Sequence, residues 1–299
     1  MQPLLTAPSA RPSPSADRTA LRRTVERLSR EFIPRDCEHP ERLAAAAEFI
    51  RAELATAGAA TREQTYEADG KQYKNVIATF GADASPAIVV GAHYDACGKL
   101  PAADDNASGV AGLLDLARLL AKSPPATRVD LVAYSTEEPP YFRTEQMGSV
   151  VHAKSLRADG TELRAMISLE MIGYFSDEAG SQGFPSPLLR ALYPSKGNFI
   201  AVVGKIGGGS LVRTVKSAMT SAAPLPVYSL NAPGSLMGID LSDHRSYWAE
   251  GYPAVMITDT AFFRNRAYHT DRDTADRLDY ERMAQVVEGT LAAVLELAR

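Results

Sequence analysis

The sequence predicts an α/β fold, a three-layer α/β/α sandwich around a mostly parallel mixed sheet. Short continuous apolar runs, of which residues 87–92 (AIVVGA) are the clearest, mark strands covered on both faces. Segments with apolar residues at helical spacing alternate with these runs. Such alternation builds a mostly parallel sheet with helices on both sides. Acidic and histidine residues follow several of the runs, where an open α/β sheet gathers its loops into one crevice.

Taken in order, residues 19–32 and 41–57 carry helical spacing, and Gly58 closes the second as a C-terminal glycine should. Residues 64–68 and 73–80 flank Asp69-Gly70, a hairpin signal. Strands are expected at 87–92, 129–134, 165–169, 199–203 and 254–257. Helices are expected at 110–121, 148–156, 211–221 and 280–298. Residues 176–187 and 231–243 read as loops, the second bordering a substrate pocket. Residues 1–18, rich in Pro, Ala and Ser, read as a flexible leader, and 19–299 as a single domain.

The 299 residues suffice for a full core. The net charge is −4 with no basic stripe, which speaks against a nucleic-acid partner. No apolar run reaches membrane-spanning length. The first residues lack a basic segment followed by a long apolar core, so no secretory signal is read in the chain as given. That implies a cytoplasmic protein by default, or a periplasmic or secreted one if a leader was removed. The two cysteines, Cys37 and Cys97, are no disulfide framework. They read as buried free thiols, with a single disulfide as the alternative.

Five segments then supply chemistry. His93 and Asp95, two apart in extended chain, point to one side, and Asp95 is placed to hold the second ring nitrogen of a metal-bound His93. Asp104-Asp105-Asn106 precedes an apolar helix. Helix capping accounts for one acid there but not for two, and Asp105 would bridge two cations. Glu137-Glu138 follows a strand. Glu138 reads as a ligand, and Glu137 as the group that takes a proton from water and returns it to the leaving amine. Glu170 ends a buried run, where an unpaired carboxylate is costly. His269 comes late in the chain, and the acids after it (Asp271, Asp273, Asp276) read as capping and surface charges. One assignment uses the whole set: Asp105 bridges, His93 and Glu170 hold one ion, and Glu138 and His269 hold the other. Zinc suits such oxygen and nitrogen donors. Two zinc ions about 3.5–4 Å apart would share an attacking hydroxide.

The ordered set HxD, DDNASG, EE, a single acid after a strand and a late His resembles the M28 zinc peptidases over about residues 40–298. The resemblance implies a zinc exopeptidase fold, two Zn2+ per chain, a peptide substrate and a cis peptide between Asp105 and Asn106. It also draws in Ser242-Asp243-His244, similar to the family's SDH segment. Asp243 reads either as a hydrogen-bonding group for substrate or a nearby loop, or as a helix N-cap. Tyr268 reads either as a donor to the developing oxyanion or as a packed tyrosine. The chain departs from the family at Pro139-Pro140 and at Glu170, where simple aminopeptidases often carry Asp. The expected activity is therefore a metal-dependent exopeptidase, first of all an aminopeptidase. A glutaminyl-peptide cyclotransferase or a carboxypeptidase of the same family is the alternative, and a binding module that has lost its ligands is the reading the intact set opposes. Oligomeric state is not legible.

Overall fold

Alternation of buried side chains builds the sheet. In the computed structural model, which describes residues 14–299, Ile88, Val90 and Ala92 of one strand join the larger apolar cluster, while Ala87 and Val89 join a second cluster on the opposite face. That strand, β3 (Ala87–His93), is buried along its whole length. Period-two alternation with both faces covered is why it reads as a continuous apolar run.

The elements follow as α1 (Arg18–Glu26), α2 (Pro40–Thr56), β1 (Ala60–Ala68), β2 (Lys71–Phe80), β3, α3 (Gly109–Lys122), β4 (Val129–Tyr134), α4 (Gly148–Ala158), β5 (Leu163–Glu170), α5 (Pro187–Leu192), β6 (Ile200–Lys205), α6 (Gly209–Ala222), β7 (Val227–Ala232), α7 (His244–Ala249), β8 (Ala254–Thr258) and α8 (Tyr280–Leu297). The eight strands lie in the order β1-β2-β4-β3-β5-β8-β6-β7. The four central strands β4, β3, β5 and β8 are mutually parallel, while β1, β2 and β6 join antiparallel to their inner neighbours. Residues of α1, α2, α3, α6 and α8 line the larger cluster, and those of α4 and α7 line the second. The expected sandwich and mixed sheet are thus present.

Several boundaries differ from expectation. The first helix ends at Glu26 and continues to Glu31 as a wider π-type turn. Strand β7 and the short helices α5 and α7 were not foreseen, and the expected loop at 231–243 begins inside β7. The expected leader lies mostly outside the described residues. At its end, Asp17 caps α1 through its side chain, its own N–H donates to Asp115, and the Ala16 N–H donates to Glu288. Cys37 and Cys97 are free, and both are half-buried rather than buried. Among the described residues no helix is long and apolar enough to cross a membrane.

Candidate metal centre

Because β4, β3, β5 and β8 run parallel, their carboxyl ends share one edge. His93 pairs in register with Tyr134, three residues before Glu137, and Glu170 pairs with Thr258 of β8. The loops that continue from these ends carry Asp95, Glu137, Glu138 and His269. A fifth segment enters from the side as an irregular turn (Ala103–Ser108) before α3.

The turn explains the adjacent acids. The Asp105–Asn106 peptide is cis, as the resemblance implies, and the two carboxylates part company there. Asp104 faces the scaffold: it accepts from the Gly173 N–H at 3.0 Å and from the Asn265 amide at 2.9 Å. Burial, then Asp259, pushes its carboxyl well above the usual range, and burial pushes Asp259 up to about 7. Asn106, not an acid, does the capping. Its Oδ1 accepts from the Gly109 and Met171 N–H groups, and its amide donates to the Leu169 carbonyl. Gly109 must be glycine, because a Cβ there would lie 2.4 Å from Asn106 Oδ1 and 2.6 Å from the Leu169 carbonyl oxygen.

Asp105 faces the site and divides its two oxygens. Oδ1 lies 3.4 Å from His93 Nε2, and Oδ2 lies 3.0 Å from His269 Nε2. Glu170 Oε2 lies 3.4 Å from the same nitrogen of His93, and Glu138 Oε1 lies 3.3 Å from that of His269. Glu137 Oε2 stands 3.9 Å from His93 Nε2. Asp95 faces His93 Nδ1 at 3.4 Å with one oxygen, and its other oxygen accepts from the Glu138 N–H at 3.0 Å. All five expected ligands, with Glu137 and Asp95, are thus brought together. Ala102, Thr136, Met171 and His269, all on the surrounding loops, adopt positive φ without being glycine. Backbone strain of this kind collects where the fold holds a functional geometry.

The charges within the cluster test whether a cation fits. Burial raises the carboxyls of Glu137, Glu138 and Glu170, and neighbouring acids add to it, bringing Glu138 up to about 7. Burial opposes charging His93 and His269, but the surrounding carboxylates outweigh it. His93 is held well above its ordinary pKa, and His269 is raised to about 10. The acids around both imidazoles thus favour positive charge at this point. Glu138 Oε1 and His269 Nε2 have no hydrogen-bond partner among the described residues. Buried polar atoms are seldom left so. One set of donor atoms from His93, Asp105 and Glu170 lies within 4.8 Å of one another, and so does a set from Cys97, Glu138 and His269. Nitrogen, oxygen and sulfur donors at this density fit divalent zinc.

Two assignments change. Asp273, expected as a surface or capping charge, is buried and accepts from the Asp104 and Asp105 N–H groups at 3.1 Å. Asp243 precedes α7 but caps no backbone N–H. It has no exposed surface to offer a substrate directly. Burial lifts it to about 7, against the pull of His93. Tyr268 stacks on the His269 ring at 3.8 Å, and burial, with Asp105 and Glu138 next, keeps its hydroxyl protonated and able to donate. Ser242, named in the sequence only as part of its segment and given no role there, donates to Glu170 Oε2 at 2.7 Å. Sequence reading missed Arg35, which is wholly buried and donates to the carbonyls of Tyr94, Leu28, Pro101 and Ala102. Burial lowers the Arg35 pKa to about 10 although Asp273, Asp95, Asp105 and Glu138 all draw it up.

Beside the cluster opens a cavity of about 100 Å³, bordered by Glu170 and Tyr268 and lined by Phe184, Phe199, Tyr228, Met256 and Phe263. Its lining is largely apolar and aromatic, which suits contact with an apolar group.

Asp95→Asn is expected to weaken zinc binding by roughly 10–100-fold, the usual effect of losing an outer partner of a ligating histidine. A competition titration with a chromophoric chelator measures this, and unchanged affinity would assign Asp95 to positioning Glu138 alone.

The chain is similar to several known proteins. The model of peptidase family M28 matches residues 75–294. "Uncharacterized protein YfbL" of Escherichia coli (strain K12) is 49% identical over 279 residues, covering 91% of this chain and 85% of its own. Leucine aminopeptidase 1 of Ajellomyces capsulatus (strain H88) is 27% identical over 238 residues, 75% of this chain, which spans only 56% of that protein's length. Among solved structures, LapB from Legionella pneumophila superposes with a TM-score of 0.75 at 22% identity, over 95% of this chain and 72% of that one. A glutaminyl cyclase from Bacteroides thetaiotaomicron does so with a TM-score of 0.71 at 18% identity, over 95% and 99%.

Proposed function

Since this chain belongs to peptidase family M28, we propose that it is a zinc-dependent exopeptidase that removes N-terminal residues from peptides. The observation that carries this reading is the split carboxylate of Asp105, one oxygen toward His93 and the other toward His269. His93, Asp105 and Glu170 would hold one zinc, and Asp105, Glu138 and His269 a second. Bound there, zinc supplies a Lewis acid for the scissile carbonyl and acidifies water.

The chain's own groups do the rest. Glu137 sits beside His93 and is buried. It takes a proton from the attacking water and passes it to the departing amine, and burial, with Glu138 and Glu170 beside it, raises its pKa and so favours taking up that proton. Tyr268, kept protonated, donates to the carbonyl oxygen as negative charge develops. Ser242 and Asp95 fix the carboxylate of Glu170 and the backbone of Glu138. The cavity at Glu170 and Tyr268 receives the side chain of the residue released, and its aromatic lining favours a large apolar one.

Short peptides with a free N-terminus and Leu or Phe first should therefore be cleaved, and their N-acetylated forms should not. Mass spectrometry of the products checks both. The fold shared with glutaminyl cyclases makes a peptide beginning with Gln the informative substrate. Release of free glutamine supports hydrolysis. Loss of ammonia with the chain intact would assign a cyclotransferase, and release from the C-terminal end alone a carboxypeptidase.

A further inference from the structure

Cys97 lies two residues past Asp95, on the loop that leaves β3, and neither the sequence pattern nor the reading above uses it. Its Sγ belongs to the second donor set, with Glu138 and His269 within 4.8 Å. Glu138 is 5% exposed, and its Oε1 has no hydrogen-bond partner among the described residues. The His269 Nε2 beside it is likewise without one. Asp105 Oδ2 lies 3.0 Å from that nitrogen and offers a fourth donor on the His269 side.

Four donors match the coordination number that zinc takes from protein ligands, and sulfur is among its preferred atoms. We propose that Cys97 is a protein ligand of the ion held by Glu138 and His269. The assignment rests on the two-zinc reading and adds an asymmetry to it. The His93 half offers only nitrogen and oxygen. The His269 half adds sulfur, so it should favour thiophilic ions such as cadmium over manganese. On binding, the thiol proton passes to solvent and a sulfur lone pair forms the bond to the ion, since a coordinating thiol is deprotonated. The His93 half, with three protein donors, would be the one nearer Glu170 and the apolar cavity.

Cobalt substitution tests the assignment without reference to activity. The full chain is stripped, loaded with Co2+ and its ions are counted. The wild type should show a sulfur-to-cobalt charge-transfer absorption in the near ultraviolet. Cys97→Ser should lose that absorption while keeping the visible cobalt bands that report an intact centre. In parallel, zinc should slow alkylation of Cys97 by about 10-fold or more, because a metal-bound thiolate is a poor nucleophile, and leave Cys37 unaffected as the internal control. Two ions per chain with no near-ultraviolet band and no protection of Cys97 would overturn the proposal and leave the two-zinc reading standing. One ion per chain would defeat the two-zinc reading, and the band would still decide whether sulfur binds it.

Discussion

Glu137→Gln is expected to lower kcat by ~10²–10⁴-fold or more, the usual scale for losing a general base, with zinc content and fold unchanged. The amide keeps the size of the side chain and its hydrogen-bonding reach but cannot accept the proton. Glu137 is buried among Glu138, Glu170 and Asp243, with His93 Nε2 at 3.9 Å, and these acids together with burial raise its pKa. Removing one of several crowded charges should not destabilise the fold, so the loss appears in kcat rather than in Tm. Near-native kcat would show that another group moves the proton. Glu138→Gln is the control: it should lower zinc content first and activity as a result.

The second large effect is expected at Asp105. Wild-type protein, purified without chelator and reloaded, should approach two zinc ions per chain by elemental analysis, and saturation at one would sink the dinuclear assignment. Asp105→Asn should reduce that number and abolish turnover, because a single side chain serves both halves. The affinity loss should exceed the ~10–100-fold typical of an outer partner, and hence that of Asp95→Asn. A pH dependence accompanies it. His93 and His269 carry protons well above their ordinary pKa in the protein itself, and a metal must displace them. Zinc binding should therefore release protons at neutral pH, weaken as pH falls and tighten as pH rises toward about 10, where His269 gives up its proton unaided. Proton uptake on loading would contradict the ligand set.

The sequence made the central strands and the ligands legible for one reason. Strands such as β3 are covered on both faces and so show as unbroken apolar runs, and of the proposed ligands His93, Glu138 and Glu170 sit at or just past the ends of such runs. Strand β7 is only half-buried, with a mixed pattern (VYSLNA), and an edge strand of that kind leaves no run to find. Helices α5 and α7 have six residues each, too few for a 3.6-residue period to register. Within the site, the pairs Asp104-Asp105 and Asp271/Asp273 look alike in sequence. Only the turn at Asn106 sends one neighbour to the candidate metal centre and the other to the scaffold, and only the fold buries Asp273 under two backbone N–H groups. Cys97 and Arg35 carry no motif at all. Their meaning comes from which distant atoms they meet.

Arg35 sets the size of the smallest piece that can work. The family match begins at residue 75, yet this guanidinium, forty residues earlier, holds the carbonyls of Tyr94, Pro101 and Ala102. Those carbonyls border the two loops that carry His93, Asp95 and Asp105. A chain trimmed to the matched span would also leave β2 without its β1 partner and α3 without α1. The buried carbonyls of Tyr94 and Ala102 would lose their donor at the edge of the crevice, each at a cost of about 1–3 kcal/mol, and the part-buried one of Pro101 would lose it too. Expression boundaries drawn from family similarity would thus cut through the support of the ligand loops. A piece that keeps this support includes Asp17, whose side chain caps α1.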